Sequence, residues 1–406
     1  MRRPPAPVVV AVAVLAAVAG TAAGAALMAR VQDSGARTAP EPTTTLPAPV
    51  ATSAPQAPGS AVLLAWTPAS LDPGLAAAAA ADPAVQATSI VAAGVVDLVA
   101  TRDAGGAPVD ALDGGWAYPL DSIAVDPASH AEFAGLADRA AVAGLAPGQA
   151  LLGRTSAGLR RLGPGGVLRV AGGLELTVAA VVDDTAIGGA ELAVDRASGE
   201  ALGLTTPRFV LAAYTGDRAA IETRWRAALS GGDNVRFRGP GETPFLRHGD
   251  AVLPQAQIKA RFGEFAYRPG AGDQVEQDPA WQQANLVQVE LPIIGRARCH
   301  RDVVGALAGA LGEVERSGLA PLVDPAGFAG CWNARRTRGG IALSRHAWGV
   351  AVDLNAGANP TGFASVQDPR LLEVFARWGF TEGSGWLVPD AGHFEYVAPP
   401  TTSAAP

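Results

Sequence analysis

Two histidines and an aspartate in the C-terminal third have residue types and spacing that suit metal chemistry. His346 and Asp353 lie 7 residues apart, and His393 follows 40 residues later. Two imidazoles and one carboxylate are a common catalytic zinc set, in which water takes the fourth position and ionises near neutral pH. A His followed at this distance by Asp is more often a pair of surface residues. The spacing by itself therefore only suggests a zinc site.

Two acidic residues flank His393 within the segment Asp390–Tyr396. Asp390 precedes the histidine by one tight turn, which suits a general base that takes a proton from the attacking water. In an extended strand Glu395 shares a face with His393. That position suits a carboxylate that orients the imidazole from the side away from the metal.

The elements that must position these residues are short strands. In the predicted strand Gly349–Leu354, apolar residues alternate with Ala351 and Asp353. Alternate side chains face opposite sides, so Asp353 points away from the core and Ala351 leaves room beside it. Gly349 allows a turn that brings His346 back towards the carboxylate.

Two helices complete the predicted C-terminal domain, residues 256–397. One runs over His300–Arg316 with an apolar face, and Gly318 ends it. The other begins at Asp368-Pro369 and ends before Gly379. Helices mixed with short strands in this order indicate an α+β fold.

Two motifs, one around His346 and Asp353 and the other around His393, together resemble the paired signature of the VanY-type zinc peptidase family. That family includes D-alanyl-D-alanine carboxypeptidases and phage L-alanyl-D-glutamate endolysins, and the resemblance covers about 140 residues of the chain. It implies one Zn²⁺ per chain with His346, Asp353 and His393 as ligands. The motifs read Ser344-x-His346-x-x-Gly349-x-Ala351-x-Asp353 and Asp390-x-x-His393-Phe394-Glu395.

The sequence departs from the better-known members of that family at the catalytic base. Those members carry Glu in a Glu-x-Trp-His pattern, whereas this chain has Asp390 and Gly392 at the corresponding positions. We interpret the change as a difference between branches of the family.

The segment Cys331–Arg336 resembles the place where the family carries an arginine that binds the substrate carboxylate. A guanidinium can bind a carboxylate through two parallel hydrogen bonds, which suits a peptide with a free C-terminus. The resemblance assigns this role to Arg335 first and Arg336 second, with Ser344 as a further substrate contact. A solvated basic turn explains either arginine equally well.

These features predict a zinc-dependent D,D-carboxypeptidase that hydrolyses the terminal D-Ala-D-Ala bond of peptidoglycan stem peptides. One alternative is an endopeptidase that cuts an L-Ala-D-Glu bond inside the stem. Another is a catalytically weak module that binds cell wall or peptide. In that case the preceding domain would supply the function.

The N-terminus predicts export. Arg2 and Arg3 precede an uncharged apolar stretch, so residues 1–30 read as a signal anchor or a signal peptide. Residues 31–59 form a Thr/Pro/Ala-rich linker. We expect a single-pass membrane protein with its catalytic domain outside the cytoplasm, or a secreted one if the signal is cleaved.

Composition narrows the remaining possibilities. The net charge of −7 argues against nucleic acid as a partner, and two cysteines cannot build a four-cysteine metal site. In an oxidising compartment Cys299 and Cys331 are expected to form a disulfide. Of the other histidines, His300 has a capping or buried polar role, while His130 and His248 are expected to be exposed.

The middle of the chain predicts a β-rich accessory domain over residues 60–232. Alternating segments around Gly172-Gly173 indicate a hairpin. The stretch Ser156–Val170 resembles extracytoplasmic β-domains of some membrane permeases, which implies only an accessory or interaction role. Residues 233–255 are a predicted connector and 398–406 a disordered tail.

Overall fold

The computed structural model describes residues 61–230, 235–239, 242, 247–338, 340 and 342–401. The predicted membrane segment (1–30) and linker (31–59) lie outside these residues, as do 402–406 of the predicted tail. Within the described ranges, no helix is long and apolar enough to cross a membrane. The first part of the predicted tail folds back, and the Thr401 amide donates to the Arg377 carbonyl at 2.8 Å.

The fold is a mixture of helices and strands, and its β-rich region is built on one ten-stranded sheet. Its strands are β1 (Ala61–Trp66), β2 (Val85–Arg102), β3 (Pro108–Ala111), β4 (Tyr118–Val125), β5 (Gln149–Gly153), β6 (Val167–Val170), β7 (Glu175–Val182), β8 (Leu192–Asp195), β9 (Pro207–Tyr214) and β10 (Arg236–Arg238). Its helices are α1 (Pro73–Ala81), α2 (Pro127–Ala131), α3 (Arg139–Ala143), α4 (Arg154–Arg160), α5 (Arg196–Ala201) and α6 (Arg218–Ala227).

Strand pairing closes part of this sheet on itself. Nine of the strands follow the order β10-β1-β9-β2-β4-β8-β5-β7-β6, and the tenth, β3, pairs with β2. Strand β6 also pairs with the far end of the long strand β2. Six strands from β2 to β6 therefore form a closed barrel, from which β9, β1 and β10 extend. The predicted hairpin at Gly172-Gly173 is present as β6 and β7.

Strand β1 shows why both faces of the extension are apolar. Val62, Leu64 and Trp66 pack in a cluster with α2 and α3, whereas Leu63 and Ala65 pack in another with α1 and α6. A strand that is covered on both sides is expected to be apolar throughout rather than alternating. Strand β10 pairs with β1, so the sheet extends into the segment predicted as a connector, residues 233–255.

Among its described residues, the C-terminal region has two hairpins, a three-stranded sheet and four α-helices. Its strands are β11 (Tyr267–Pro269), β12 (Val275–Gln277), β13 (Leu286–Leu291), β14 (Gly295–His300), β15 (Ala351–Asp353), β16 (Phe380–Gly383) and β17 (Asp390–Tyr396). Its helices are α7 (Gln255–Phe262), α8 (Pro279–Asn285), α9 (Arg301–Arg316) and α10 (Pro369–Arg377). The small sheet has the order β15-β17-β16, which puts β17 in its centre.

Both predicted helices of this region are confirmed, including their ends. His300 is the N-cap of α9, and its ring Nδ1 accepts from the Asp302 amide at 3.2 Å. Asp368 caps α10, and Gly379 follows the end of that helix with φ of 86°. The apolar faces of the two helices meet in one core cluster with the small sheet.

Buried ion pairs join the C-terminal region to the β-rich region. Lys259 on α7 is the only lysine of the chain, and its Nζ lies 2.9 Å from Glu191 Oε1, with both side chains fully buried. Arg160 reaches Glu264 at 2.5 Å. Breaking a buried pair by removing one partner typically costs about 3–5 kcal/mol, because the other charge stays buried. These contacts therefore fix the position of the two regions against each other.

Candidate metal centre

A short 3₁₀ helix, Arg345–Trp348, carries the first metal-binding candidate. Ser344 caps this helix, since its hydroxyl accepts from the His346 amide at 3.3 Å. Gly349 ends it with φ of 67°. A Cβ atom at Gly349 would lie 2.8 Å from the His300 amide nitrogen, so glycine is required there by both conformation and space.

The pairing of β15 with β17 brings in the other two candidates. Asp353 is directly opposite His393, and Val352 is directly opposite Phe394. Val352 and Phe394 are fully buried in the core, so alternation places Asp353 and His393 together on the other face. The predicted alternation of this strand is confirmed.

Three atoms of these side chains form a small triangle. His346 Nε2 lies 3.1 Å from Asp353 Oδ1 and 3.2 Å from His393 Nδ1, and His393 Nδ1 lies 3.0 Å from Asp353 Oδ1. Ligands about 2.0–2.1 Å from a tetrahedral ion are separated by about 3.3 Å, which is close to these distances. The described residues thus form a His-Asp-His cluster that fits one metal ion.

Each histidine is oriented through the ring nitrogen that faces away from the triangle. His346 Nδ1 lies 2.9 Å from the Cys331 carbonyl oxygen, and His393 Nε2 lies 3.3 Å from Glu395 Oε1. A carbonyl only accepts, so His346 Nδ1 carries the proton and Nε2 is free to bind a metal. Glu395 lies where the sequence placed it, whereas the Cys331 carbonyl was not foreseen because a backbone atom leaves no signature in a motif.

The predicted disulfide between Cys299 and Cys331 is present. It connects β14 to the chain segment whose carbonyl orients His346. The disulfide therefore restrains the surroundings of the metal centre as well as the segment that contains Arg335.

Burial and charge act in opposite directions on the cluster. Burial alone would lower the pKa of His393, but hydrogen bonds to Asp353 and Glu395 outweigh it and raise this pKa to about 10. For Asp353, burial alone would raise the pKa, but the hydrogen bonds from His346 and His393 hold this pKa well below its usual range. The carboxylate is thus ionised and suited to binding a cation.

The cluster is open on one side. His346 and His393 are 2% and 6% exposed, whereas the Asp353 side chain is 24% exposed. The Trp386 ring lies 5.3 Å from the His393 ring and forms one wall beside it. A substrate can therefore approach from the Asp353 side while both imidazoles stay buried.

Asp390, the predicted base, is the first residue of β17 and pairs with Gly383. Its Oδ1 accepts from the Thr361 hydroxyl at 2.9 Å. The backbone near Thr361 is also tied to this strand, because the Gly362 amide donates to the Pro389 carbonyl. Thr361 is a contact of the predicted base that sequence motifs did not indicate.

The three predicted substrate contacts have different surroundings. The Arg336 guanidinium lies over the Tyr267 ring, 5.8 Å from its centroid, on the side of the β-rich region. Arg335 Nη1 donates to the Arg336 carbonyl at 3.1 Å. Ser344 is 4% exposed and acts as the helix cap described above. Both arginines are half-buried, so the order of Arg335 before Arg336 stays a prediction.

The remaining histidines lie away from the cluster, and the predicted exposure of His130 is wrong. His130 is 3% exposed because Ser89 Oγ, 2.9 Å from its Nδ1, satisfies the ring inside the β-rich core. His248 stacks on Phe209 and is half-buried, so its predicted exposure is also not observed. His300 has the predicted capping role.

Comparison with known proteins finds a family match in the part of the chain that contains the cluster. Residues 337–396 match the family profile described as D-alanyl-D-alanine carboxypeptidase, which confirms the resemblance for the C-terminal region and supports a hydrolase. The match includes Asp390 and begins just after Arg336. The periplasmic region of MacB from Actinobacillus actinomycetemcomitans is a solved structure with 9% identity and a TM-score of 0.31, over 44% of this chain and 88% of that chain. Comparison with curated proteins gives no match.

Proposed function

We propose that the protein is a zinc-dependent D,D-carboxypeptidase that removes the terminal D-Ala from peptidoglycan stem peptides. The observation that carries this proposal is the triangle of His346 Nε2, Asp353 Oδ1 and His393 Nδ1. The family match over residues 337–396 supports the reaction class. The predicted signal segment and linker support an extracytoplasmic site of action.

Zinc is the metal that suits this donor set of two imidazoles and one carboxylate. When bound, it supplies a Lewis acid that polarises the scissile carbonyl and makes water ionisable near neutral pH. The chain itself supplies the orientation of the ligands. Glu395 and the Cys331 carbonyl hold the two rings so that one nitrogen of each faces Asp353.

Proton transfer is assigned to Asp390. Its carboxylate accepts a proton from the attacking water and returns it to the leaving amine as the peptide bond breaks. The Thr361 hydroxyl donates to Oδ1 of this carboxylate and helps to hold it in position, and the carboxylate keeps further acceptor capacity for the water.

Substrate recognition is assigned to Arg335. A guanidinium binds the free carboxylate of the terminal D-Ala through two hydrogen bonds, which distinguishes an exopeptidase from an endopeptidase. Among the described residues, the half-buried Arg335 side chain has one hydrogen-bond acceptor, the Arg336 carbonyl, which leaves donors for a ligand.

The test is a metal analysis of the full-length protein followed by mass spectrometry of muropeptides after incubation. We expect one zinc per chain and stem peptides shortened by one D-Ala. Cuts between L-Ala and D-Glu would instead assign the endopeptidase activity. One zinc per chain with every stem peptide intact would overturn both and leave a binding module.

A further inference from the structure

The loop between β16 and β17, residues 384–389, is held by the β-rich region. The Leu387 amide donates to Asp250 Oδ2 at 2.7 Å. The Leu387 side chain packs against the apolar cluster of the β-rich region that contains Trp66 and Phe209. We call residues 384–389 the site loop, because Trp386 lies against His393 and Asp390 follows directly.

Asp250 is in turn held by the sheet. Its Oδ1 accepts from Arg238 on β10 and lies 3.6 Å from Arg236 Nε. The Asp250 side chain is 8% exposed and that of Arg238 is 3% exposed, so the pair is sheltered from water. The Arg238 guanidinium also lies over the Trp66 ring of β1, which fixes its direction.

A second contact joins the chain segment that contains Asp250, residues 247–254, to the metal centre. Arg345, which is adjacent to His346, donates from Nη2 to the Leu253 carbonyl at 2.7 Å. Its Nε lies 4.0 Å from Glu395 Oε1, the oxygen that orients His393. The segment 247–254 therefore contacts the β-rich sheet on one side and two parts of the metal centre on the other.

A backbone amide that donates to a charged acceptor is held more firmly than one that donates to a neutral group. The position of the Asp250 carboxylate is set by two arginines of the sheet, Arg236 and Arg238. The loop is also held at two further points, because the Trp386 amide donates to the Gly383 carbonyl and the Gly362 amide donates to the Pro389 carbonyl. Two of its residues, Gly385 and Val388, are exposed.

We propose that the β-rich region is a positioning part of the active site: the Arg238–Asp250–Leu387 link holds the site loop, which keeps Trp386 against His393 and fixes where β17 begins, at Asp390. This inference rests on the proposed function for the expected change in kcat/KM. The expected change in amide hydrogen exchange does not depend on that function. Asp250 and Arg238 are positioning residues in it, since neither touches the metal ligands.

The test compares Asp250→Ala with Asp82→Ala in the full-length protein. Asp82 is also a buried aspartate of an ion pair, 2.8 Å from Arg224, but it lies between α1 and α6 inside the β-rich region. For Asp250→Ala we expect amide hydrogen exchange in residues 384–389 to rise by about tenfold or more, because the Leu387 amide loses its acceptor. For Asp82→Ala we expect no change there.

Kinetics on a stem peptide supply the second readout. We expect Asp250→Ala to lower kcat/KM by about 10- to 100-fold with full zinc content, because the base and the wall of the site are displaced. Asp250→Asn keeps an oxygen for the Leu387 amide, so its exchange in residues 384–389 should stay closer to wild type. If Asp250→Ala does not fold, Arg238→Met is measured in its place, because it removes the arginine that bonds to the Asp250 carboxylate.

Two outcomes would overturn the inference. One is unchanged exchange in residues 384–389 for Asp250→Ala, or for Arg238→Met where Asp250→Ala does not fold. The other is an equal rise in Asp82→Ala, which would show a general loss of stability. If the wild-type protein hydrolyses no stem peptide, the proposed function fails, and the exchange measurement alone still decides whether the link holds the loop.

Discussion

Each of the two regions of the molecule has a buried histidine, and the pKa values of these two histidines are shifted in opposite directions. His130 in the β-rich region has two neutral partners, the Ser89 hydroxyl and the Ala186 backbone, and burial lowers its pKa to about 4. His393 in the C-terminal region is also buried, but two carboxylates reach its ring and raise its pKa to about 10. Burial is therefore not what distinguishes a functional histidine here. The difference lies in the carboxylates, which the small sheet brings to one face.

Removing each histidine is the strongest test of this contrast. We expect His393→Ala to weaken zinc binding by more than about 100-fold and to lower hydrolysis by about 1000-fold or more, because one of three ligands is lost. His130→Ala should keep both properties in the protein that folds. Metal analysis and the muropeptide assay measure the two effects. A His393 variant that retains zinc would remove the basis for the contrast.

Asp390→Ala tests whether acidic residues near the cluster do chemistry as well as bind metal. We expect hydrolysis to fall by about 100- to 10,000-fold with unchanged zinc content, since a general base contributes about that much. Asp368→Ala, which removes a helix cap from the same region, should leave the rate nearly unchanged. Full activity in the Asp390 variant would assign the base elsewhere.

Glu395→Gln tests the carboxylate behind His393. We expect the zinc dissociation constant to rise by about 10- to 100-fold, because a neutral amide orients the ring less strongly. Glu382→Gln on the neighbouring strand β16 is the matched control, since its carboxylate bonds to Ser384. Equal affinities in the two variants would show that His393 needs no charged partner.

The pH dependence of stability tests the other histidine. The unfolded chain takes up a proton at His130 below its ordinary pKa of 6.5, whereas the folded chain does so only near 4. Stability therefore falls as pH drops through this window, by about 2 kcal/mol between about pH 7.5 and about pH 5. His130→Gln should lose less stability than wild type over the same range in denaturant titrations. Parallel curves for the two proteins would contradict the assigned pKa.

Local patterns in the sequence predicted the strand faces that carry the candidate site residues, whereas the family resemblance supplied the set of metal ligands. Alternation along Gly349–Leu354 placed Asp353 opposite the core, and the second strand placed Glu395 on the face of His393. The caps at His300 and Asp368 also left clear local signals. In each case the structure is determined by residues within a few positions of one another.

Contacts between distant residues could not be predicted in this way. Whether His130 is buried depends on Ser89, 41 residues earlier, and the position of Lys259 depends on Glu191, 68 residues earlier. A partner at such a distance has no fixed spacing. The closure of the barrel through β2 and β6 escaped the sequence for the same reason, and so did the link from Asp250 to Leu387.

The disulfide between Cys299 and Cys331 restrains the metal centre only after the two cysteines have been oxidised. Closing a loop over 32 residues of sequence separation restricts the unfolded chain by about 3–4 kcal/mol on the entropy model. A reduced chain lacks this restraint on the carbonyl that holds His346. In the exported protein that we propose, oxidation follows translocation, so this restraint on the metal centre is completed only after the chain has left the cell interior.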